Sequence, residues 1–180
     1  MPLAFIALGA NLPSSAGAPE ATLAAAGERL AALGRIAVRS SLYSTAPIGF
    51  ADQPRFVNAV IALETGLSPR ALLNALLALE FDFGRDRAGS PVNGPRTLDL
   101  DLLFYDDLVL GEFGLEVPHP RLAERAFVLV PLHEIAPHLR DPRSGKTVAE
   151  LLQALTGGAE QDAVAKIACD GWSAQVFERS

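Results

Sequence analysis

Two aspartates separated by a single leucine, Asp99 and Asp101, are the residues of this sequence best suited to chemistry. The alternation of Asp and Leu predicts a β-strand, in which successive side chains point to opposite faces. Both carboxylates then lie on one face, roughly 6.5–7 Å apart along the strand. Two neighbouring carboxylates repel each other unless a cation or a proton lies between them. Hard divalent cations prefer such oxygen ligands.

The surroundings of this pair bear on two interpretations. An Asp-x-Asp pattern alone is also typical of a solvated edge strand. The residues of the opposite parity, however, are apolar, which predicts that the strand is anchored in a core: Leu98, Leu100, Leu102 and Phe104. Arg96, three residues before Asp99, could share an anion with a bound metal. The sequence therefore favours a metal and anion site over a solvated edge.

The basic residues support an anion site. Only Lys146 and Lys166 are lysines, and the other thirteen of the fifteen basic residues are arginines. Five of these surround the Asp pair: Arg85, Arg87, Arg96, Arg121 and Arg125. The planar fork of arginine suits bidentate contacts with phosphate, although any one of them could equally be an ordinary surface residue. The net charge of −6 argues against a nucleic-acid surface.

Length and composition predict a single domain over residues 1–180. A chain of this length that is 49% hydrophobic can bury one sizeable core. The apolar start Leu3–Leu8 is too short for a signal peptide, and no stretch is long enough to span a membrane. The single cysteine, Cys169, excludes an intramolecular disulfide and fits the reducing cytoplasm, where we expect the protein to act.

The order of the predicted elements indicates an α+β fold. Strands are predicted at Leu3–Leu8, Ile36–Thr45, Phe56–Glu64, after Gly94, and at Phe127–Leu132, and helices from Pro19 to a stop at Gly34, from Ser68-Pro69 to Gly84, and over Thr147–Leu155. A β-α-β-β-α-β order predicts a ferredoxin-like core, a mostly antiparallel sheet with helices packed on one face.

Two polar residues interrupt otherwise apolar patterns. Asn58 lies in a nearly continuous apolar strand, where an unpaired amide costs about 1–3 kcal/mol. It either pairs with backbone at the edge of the loop or awaits another partner. Glu80 lies on or beside the apolar stripe of the second helix, so it is either at the rim of that stripe or directed at a polar group.

Two motif-like segments carry no chemistry. Ser144–Thr147 imitates the end of a phosphate-binding P-loop, but Arg140 stands where the first glycine belongs, so a turn is predicted. His133-Glu134 with His138 imitates a zinc motif. The spacing is one residue too long, and Pro137 would interrupt the helix that must present both histidines.

Carboxylates for divalent metal beside clustered arginines point to phosphoryl transfer. The chain resembles the hydroxymethyl-dihydropterin pyrophosphokinase (HPPK) family of folate biosynthesis, which moves a pyrophosphoryl group from ATP to a pterin alcohol and releases AMP. The resemblance runs from about Phe5 to Pro137. The matching blocks are Leu8–Leu12, Tyr43–Gly49, Phe56–Ala59, Glu80 with Gly84–Arg87, Gly94–Asp101, Pro118–Arg121 and Arg125–Leu129.

This resemblance implies roles for individual residues in binding ATP. Asp99 and Asp101 would hold two Mg²⁺ ions, and Arg85 and Arg96 would contact the phosphates and stabilise the transition state. The resemblance also implies a group of residues that line or border the ATP site: Glu80, Arg87, Leu102, His119, Arg121 and Arg125.

The pterin site is implied in the same way. Phe56 and Phe127 would sandwich the flat ring by stacking. The amide edge of the pterin would be read by Asn58 and the segment Thr45, Ala46, Ile48 and Gly49. Only small-molecule substrates are expected as partners, and we expect a monomer.

Three positions depart from the family pattern. The stacking residue Phe56 is more often a tyrosine, Asn93 replaces a tryptophan of some members, and Pro120 follows His119 where some have tyrosine. These departures concern the adenine contacts and the closure of the segment Asp86–Asn93. We expect this segment to be mobile in the free protein, to be drawn over the site by bound ATP, and to order only when both ligands are present. A non-catalytic ligand-binding regulatory module with the same fold is the alternative function.

Overall fold

The computed structural model describes residues 1–49, 52–89, 91, 93–155 and 164–175. Within them lie eight strands and four α-helices, with a short 3-10 helix at Leu122–Glu124. In chain order they are β1 (Leu3–Ala10), α1 (Pro19–Leu30), β2 (Arg35–Arg39), β3 (Leu42–Thr45), β4 (Phe56–Glu64), α2 (Pro69–Asp82), β5 (Asp99–Tyr105), β6 (Leu110–Glu112), β7 (Leu115–Val117), α3 (Ala126–Ile135), α4 (Val148–Ala154) and β8 (Val164–Ile167). None of the helices in these ranges is long and apolar enough to cross a membrane.

One antiparallel sheet organises the molecule. Its strands run in the order β5-β1-β4-β3-β8, and β2 pairs with β4 beside β3. When β2 and β3 are taken as one interrupted strand, the first four strands have the ferredoxin-like arrangement, which confirms the predicted fold class. β6 and β7 form a separate hairpin.

Helices cover both faces of the sheet, not one. Leu23 of α1 and Leu72 of α2 belong to the core on one face, together with Ile6. Leu129 of α3 and Val148 of α4 belong to the core on the other. The prediction of helices on a single face was wrong because it did not include α3.

Residues Phe127–Leu132, predicted as a strand, lie in the helix α3. A short apolar run reads the same way for a buried strand and a buried helix, because neither shows a polar face. Val128, Leu129 and Leu132 are all buried against the sheet. Their packing, rather than the local pattern, decides in favour of the helix.

The segment Ile36–Thr45, predicted as one strand, forms two. The chain leaves the ladder at Ser40 and Ser41, and β2 and β3 each pair with β4. The Ser40 hydroxyl accepts a hydrogen bond from the Val60 N–H at 2.9 Å and donates one to the Ser41 carbonyl. The Ser40 side chain thus accepts a hydrogen bond that a backbone carbonyl would accept in a continuous strand.

Local signals predicted α2 and α4 correctly. The Ser68 hydroxyl accepts a hydrogen bond from the Ala71 N–H, Pro69 follows it, and Gly84 has φ +80° just past the end of α2. Thr147 and Glu150 form a capping box at the start of α4. Ser144–Thr147 is therefore a turn that ends in a helix cap.

Gly34 does not stop α1, which ends at Leu30. A Cβ at Gly34 would lie 2.1 Å from the carbonyl oxygen of Glu64. The glycine is required here by the close approach of two backbone segments rather than by helix termination.

A β-bulge in β5 changes the faces that its last residues occupy. Ile6 pairs with Leu102 and Phe5 with Phe104, so Leu103 is the extra residue. Phe104 therefore packs against Phe5, with ring centroids 6.3 Å apart, on the face opposite Leu100 and Leu102. The predicted parity was wrong for Phe104 but holds before the bulge.

Candidate active site

Asp99 and Asp101 lie on one face of β5, as the alternation predicted. β5 is an edge strand of the sheet, but the carboxylates are not freely solvated, because their side chains are 22% and 31% exposed. Arg96 donates a hydrogen bond to Asp99 at 2.7 Å, and Arg85 lies 3.9 Å from the same carboxylate. Arg125 lies 3.6 Å from Asp101.

Several of these charged side chains have pKa values that are shifted from their ordinary range. Burial, and then the neighbouring Asp99 charge, raise the pKa of Asp101 to about 6. Burial also lowers the pKa of Arg85 and of Arg125. The Arg85 Nε–H is buried and has no hydrogen-bond partner among the residues that the structure describes. These groups favour an incoming ligand that supplies both positive charge for the carboxylates and acceptors for the guanidinium.

The donor set fits Mg²⁺ that arrives with phosphate. No group of three or more His, Cys, Asp or Glu side chains able to hold a metal gathers among the described residues. Mg²⁺ needs no such cage, since it is commonly held by one or two carboxylates together with substrate phosphates and water. Asp99 and Asp101 would be the protein ligands.

Glu80 is directed at a polar group rather than lying at the rim of α2. It is 1% exposed, accepts a hydrogen bond from the Leu100 N–H at 2.8 Å, and pairs with Arg87. Burial raises its pKa. Glu80 therefore joins α2 to β5 at Leu100, the residue that separates the two aspartates.

A first cavity of about 210 Å³ opens beside the carboxylates. It brings together residues from five separate parts of the chain. Among the predicted site residues, those that line it are Thr45, Ala46, Ile48, Phe56, Asn58, Arg96, Asp99, Asp101, Arg121, Arg125 and Phe127. The Arg96 and Arg125 guanidinium groups lie 5.5 Å and 5.6 Å from the ring centroids of Phe56 and Phe127.

Asn58 has a partner within the protein. Its amide N–H donates to the Thr45 hydroxyl at 2.6 Å, across the β3–β4 pair. Of the two alternatives, pairing with backbone at the loop edge is not found, because the partner of the amide N–H is a side chain. A Cβ on Gly9 would lie 2.8 Å from the Asn58 Oδ1, so this glycine leaves room for the amide on the cavity wall.

A second cavity of about 570 Å³ lies on the other side of Asp101. The predicted residues that line it are Arg87, Leu102 and His119. His119 is held by an N–H···O bond to the Leu103 carbonyl, and burial, then the Arg125 charge, lower its pKa to about 4, so it is neutral. Asp101 lines both cavities.

Some predicted residues lie behind the cavity walls. Arg85 and Glu80 contact the carboxylates or their strand but line neither cavity, and Gly49, with φ +85°, lies against Asn93.

Sequence reasoning missed further lining residues: Ala7, Leu8, Gly9, Asn93, Glu124 and Val128 of the first cavity, and Leu73, Leu77, Leu100, Glu112, Gly114, Leu115, Glu116 and Pro120 of the second. Leu8 and Gly9 belonged to a matching block and could have been found from it. Ser90 and Val92 of the expected mobile loop lie outside the described residues.

Paired carboxylates among arginines, set between two cavities, place this protein in the class of phosphoryl-transfer enzymes. The chain belongs to the HPPK family, whose model, described as 7,8-dihydro-6-hydroxymethylpterin-pyrophosphokinase, matches residues 5–137.

Curated relatives support this assignment. A protein named 2-amino-4-hydroxy-6-hydroxymethyldihydropteridine pyrophosphokinase from Pseudomonas aeruginosa is 48% identical over 150 residues, which cover 83% of this chain and 90% of that protein. A protein of the same name from Methylorubrum extorquens is 43% identical, with 86% and 94% covered. A third, from Synechocystis sp., is 50% identical over 114 residues, which cover 63% of this chain and 57% of that protein.

Solved structures share the fold. The crystal structure of Plasmodium falciparum HPPK-DHPS wild type has a TM-score of 0.64 at 14% identity and covers 85% of this chain. The same protein with SDX-DHP has a TM-score of 0.65 and covers 92%. The chain spans 44% and 47% of those two chains, and at this identity the likeness concerns the fold alone.

Proposed function

We propose that this protein transfers a pyrophosphoryl group from ATP to the hydroxyl of hydroxymethyl-dihydropterin, giving the pterin diphosphate and AMP. The observation that carries the proposal is the position of Asp101, which lines both cavities. A group transfer needs its two reactants on either side of the transferred group. The family assignment supports this reaction and its use of ATP.

In this proposal the first cavity takes the pterin. Phe56 and Phe127 supply two aromatic walls for a flat heterocycle. Asn58 and the segment Thr45–Gly49 supply the polar groups that pair with its amide edge. The Thr45 hydroxyl already accepts one amide N–H of Asn58, which fixes the amide orientation before the substrate arrives.

The second cavity takes the nucleotide. Arg87 and His119 line it, and Leu102 offers an apolar contact for the adenine. Glu80 holds Arg87 in place from behind. Arg121 and Arg125 line the first cavity, so we place them at the border where the phosphates reach the pterin.

The reaction takes place between the cavities. The pterin hydroxyl oxygen attacks the β-phosphorus and releases its proton to water, the bond from that phosphorus to the α–β bridging oxygen breaks, and AMP leaves with the bridging oxygen. Two Mg²⁺ ions, held by Asp99 and Asp101, would neutralise phosphate charge when bound. Arg85 and Arg96, both within reach of Asp99, are poised to stabilise the charge that develops on the phosphate oxygens.

The test is incubation of the purified protein with ATP, Mg²⁺ and the pterin alcohol. We expect equimolar AMP and pterin diphosphate, and no product without Mg²⁺. Release of ADP would contradict pyrophosphoryl transfer, and binding of the pterin without turnover would favour the regulatory module. Three further statements stay predictions: the single domain over residues 1–180, the monomeric state and the cytoplasmic location. Gel filtration with light scattering tests the monomeric state.

A further inference from the structure

Asn11, directly after β1, is a buried polar residue to which the reaction assigns no role. It is 2% exposed, and its side chain lines neither cavity. Both polar atoms of its side chain have partners. The Oδ1 accepts the Arg96 N–H at 2.8 Å, and the Nδ2 donates to the Gln53 Oε1 and to the Pro54 carbonyl, each at 2.9 Å.

These bonds join two segments that approach the site from different sides. One consists of residues 52–55, which lead into β4, and the other of residues 93–96, which lead towards β5. Gln53 adds a second link, since its Nε2 donates to the Asn93 carbonyl at 2.9 Å. The backbone N–H groups of Asn11 and Leu12 both donate to the Arg96 carbonyl. Arg96 is thus held at both its N–H and its C=O.

Both segments end at the first cavity, at groups with different proposed roles: Phe56 stacks on the pterin, and Arg96 contacts the phosphates. Residues 52–55 stop just before Phe56, which lies on the wall of the pterin cavity. Residues 93–96 end in Arg96, whose side chain donates to Asp99 and also lies over the Phe56 ring. A movement of either segment therefore passes to the other through the Asn11 amide.

We propose that Asn11 is a positioning residue that couples the pterin site to the phosphate site. The inference rests on the proposed function, since it takes the first cavity as the pterin site and Arg96, beside Asp99, as a contact for the phosphates. A ligand that fixes one segment also fixes the other through Asn11, so the second ligand meets a site that is already ordered. Binding of each substrate then strengthens binding of the other by the same factor.

Replacement of Asn11 by aspartate tests this proposal. The variant Asn11→Asp keeps the shape and the acceptor for the Arg96 N–H. It loses both donors, and it turns a carboxylate oxygen towards the Gln53 Oε1 and the Pro54 carbonyl. The matched control is Asn74→Asp, the same chemical change at an exposed position of α2.

The measurement is calorimetric titration of the pterin alcohol with and without a non-hydrolysable ATP analogue and Mg²⁺. Coupling factors between binding sites are typically about 5–150-fold. We expect a factor in this range for the wild type and for Asn74→Asp, and a factor near 1 for Asn11→Asp, with similar pterin affinity in the absence of nucleotide. A role that is only structural would weaken both titrations and leave their ratio unchanged.

A second variant guards against misfolding of the first. Gln53→Glu changes a half-exposed residue, keeps the acceptor for Asn11 and removes the donor to Asn93, so it too should lower the coupling factor. A factor retained in both variants, or a wild type without coupling, overturns the inference. If the inference fails but the wild type releases AMP, the proposed function still stands. If the wild type shows coupling but releases no AMP, only the proposed function is refuted.

Discussion

Asp99 and Asp101 stand two residues apart on one strand, yet their surroundings differ. Asp99 has two guanidinium groups within 4 Å, those of Arg96 and Arg85. Asp101 has only that of Arg125 within this distance in the described structure, at 3.6 Å. Its charge is therefore the less compensated one, and it is the carboxylate that faces both cavities. A bound cation would relieve this imbalance.

We predict that Asp101→Asn abolishes turnover and stabilises the ligand-free protein. The folded-state pKa of about 6 lies above the ordinary value of 3.8, so the folded protein binds more protons than the unfolded chain between these values. The wild type consequently loses stability as the pH rises from about 4 to about 6. At pH 7 the variant should have the higher free energy of unfolding, by an amount on the order of 1 kcal/mol.

Urea unfolding in EDTA at several pH values measures this difference. It should be largest at pH 7, shrink as the pH falls from about 6 towards 4, and vanish well below 3.8, where the wild-type carboxyl is protonated in both states. Asp107→Asn, in the exposed turn after β5, is the control and should keep turnover. Normal magnesium-dependent turnover in Asp101→Asn would refute its assignment as a metal ligand.

The aromatic wall provides a second prediction at this scale. Phe127→Ala should weaken pterin binding at least about tenfold, because stacking adds about 0.5–1.5 kcal/mol to the apolar area lost. Binding of an ATP analogue should change little. Calorimetry with both ligands measures this, and Phe81→Ala, an exposed phenylalanine of α2, is the matched control. Equal losses for both ligands would contradict the sandwich.

At the scale of elements, Glu80 joins α2 to β5. Glu80→Ala would leave the buried Leu100 N–H without its acceptor, which costs about 1–3 kcal/mol, and would release Arg87 from the wall of the nucleotide cavity. We predict lower stability together with weaker binding of the ATP analogue. Glu28→Ala, at an exposed position of α1, should change neither quantity. Unaltered nucleotide affinity in Glu80→Ala would mean that Arg87 needs no such support.

The close approach of the α1–β2 connection to the end of β4 allows a second test. Gly34→Ala places a Cβ against the Glu64 carbonyl and should destabilise the fold by about 1–3 kcal/mol. Gly66→Ala meets no atom within 4 Å and has a backbone that other residues adopt, so its stability should stay within about 0.5 kcal/mol of the wild type. Thermal unfolding of the two variants compares them directly. Equal melting temperatures would show that the backbone shifts freely at Gly34.

The whole molecule places the site at one end of a sheet that helices cover on both faces. The first cavity is lined by β1, β3, β4, β5 and α3, so it exists only when the sheet order is complete and α3 is docked. β4 is central to this arrangement, since it pairs with β1, β2 and β3. The chemistry is thus built from residues that are far apart in sequence, such as Thr45 and Phe127.

Several features of this structure are determined by residues that lie close together in the sequence. Four local features depend on backbone geometry within a few residues, so the sequence alone predicts them. They are the alternation of Asp99 and Asp101 with leucines, the cap at Ser68, the glycine stop at Gly84 and the helix that follows Thr147. The family resemblance likewise predicted 11 of the 17 residues that line the first cavity, but only 4 of the 12 that line the second.

Tertiary structure decided the remainder, because it depended on partners that are distant along the chain. Only the pairing of β1 with β5 shows the bulge that turns Phe104 to the other face. Only packing against the sheet shows that residues 127–132 are helical. The same holds for the hydrogen bonds of Glu80, Asn58 and Asn11. A buried polar group indicates that a partner must exist, but the fold alone selects which one.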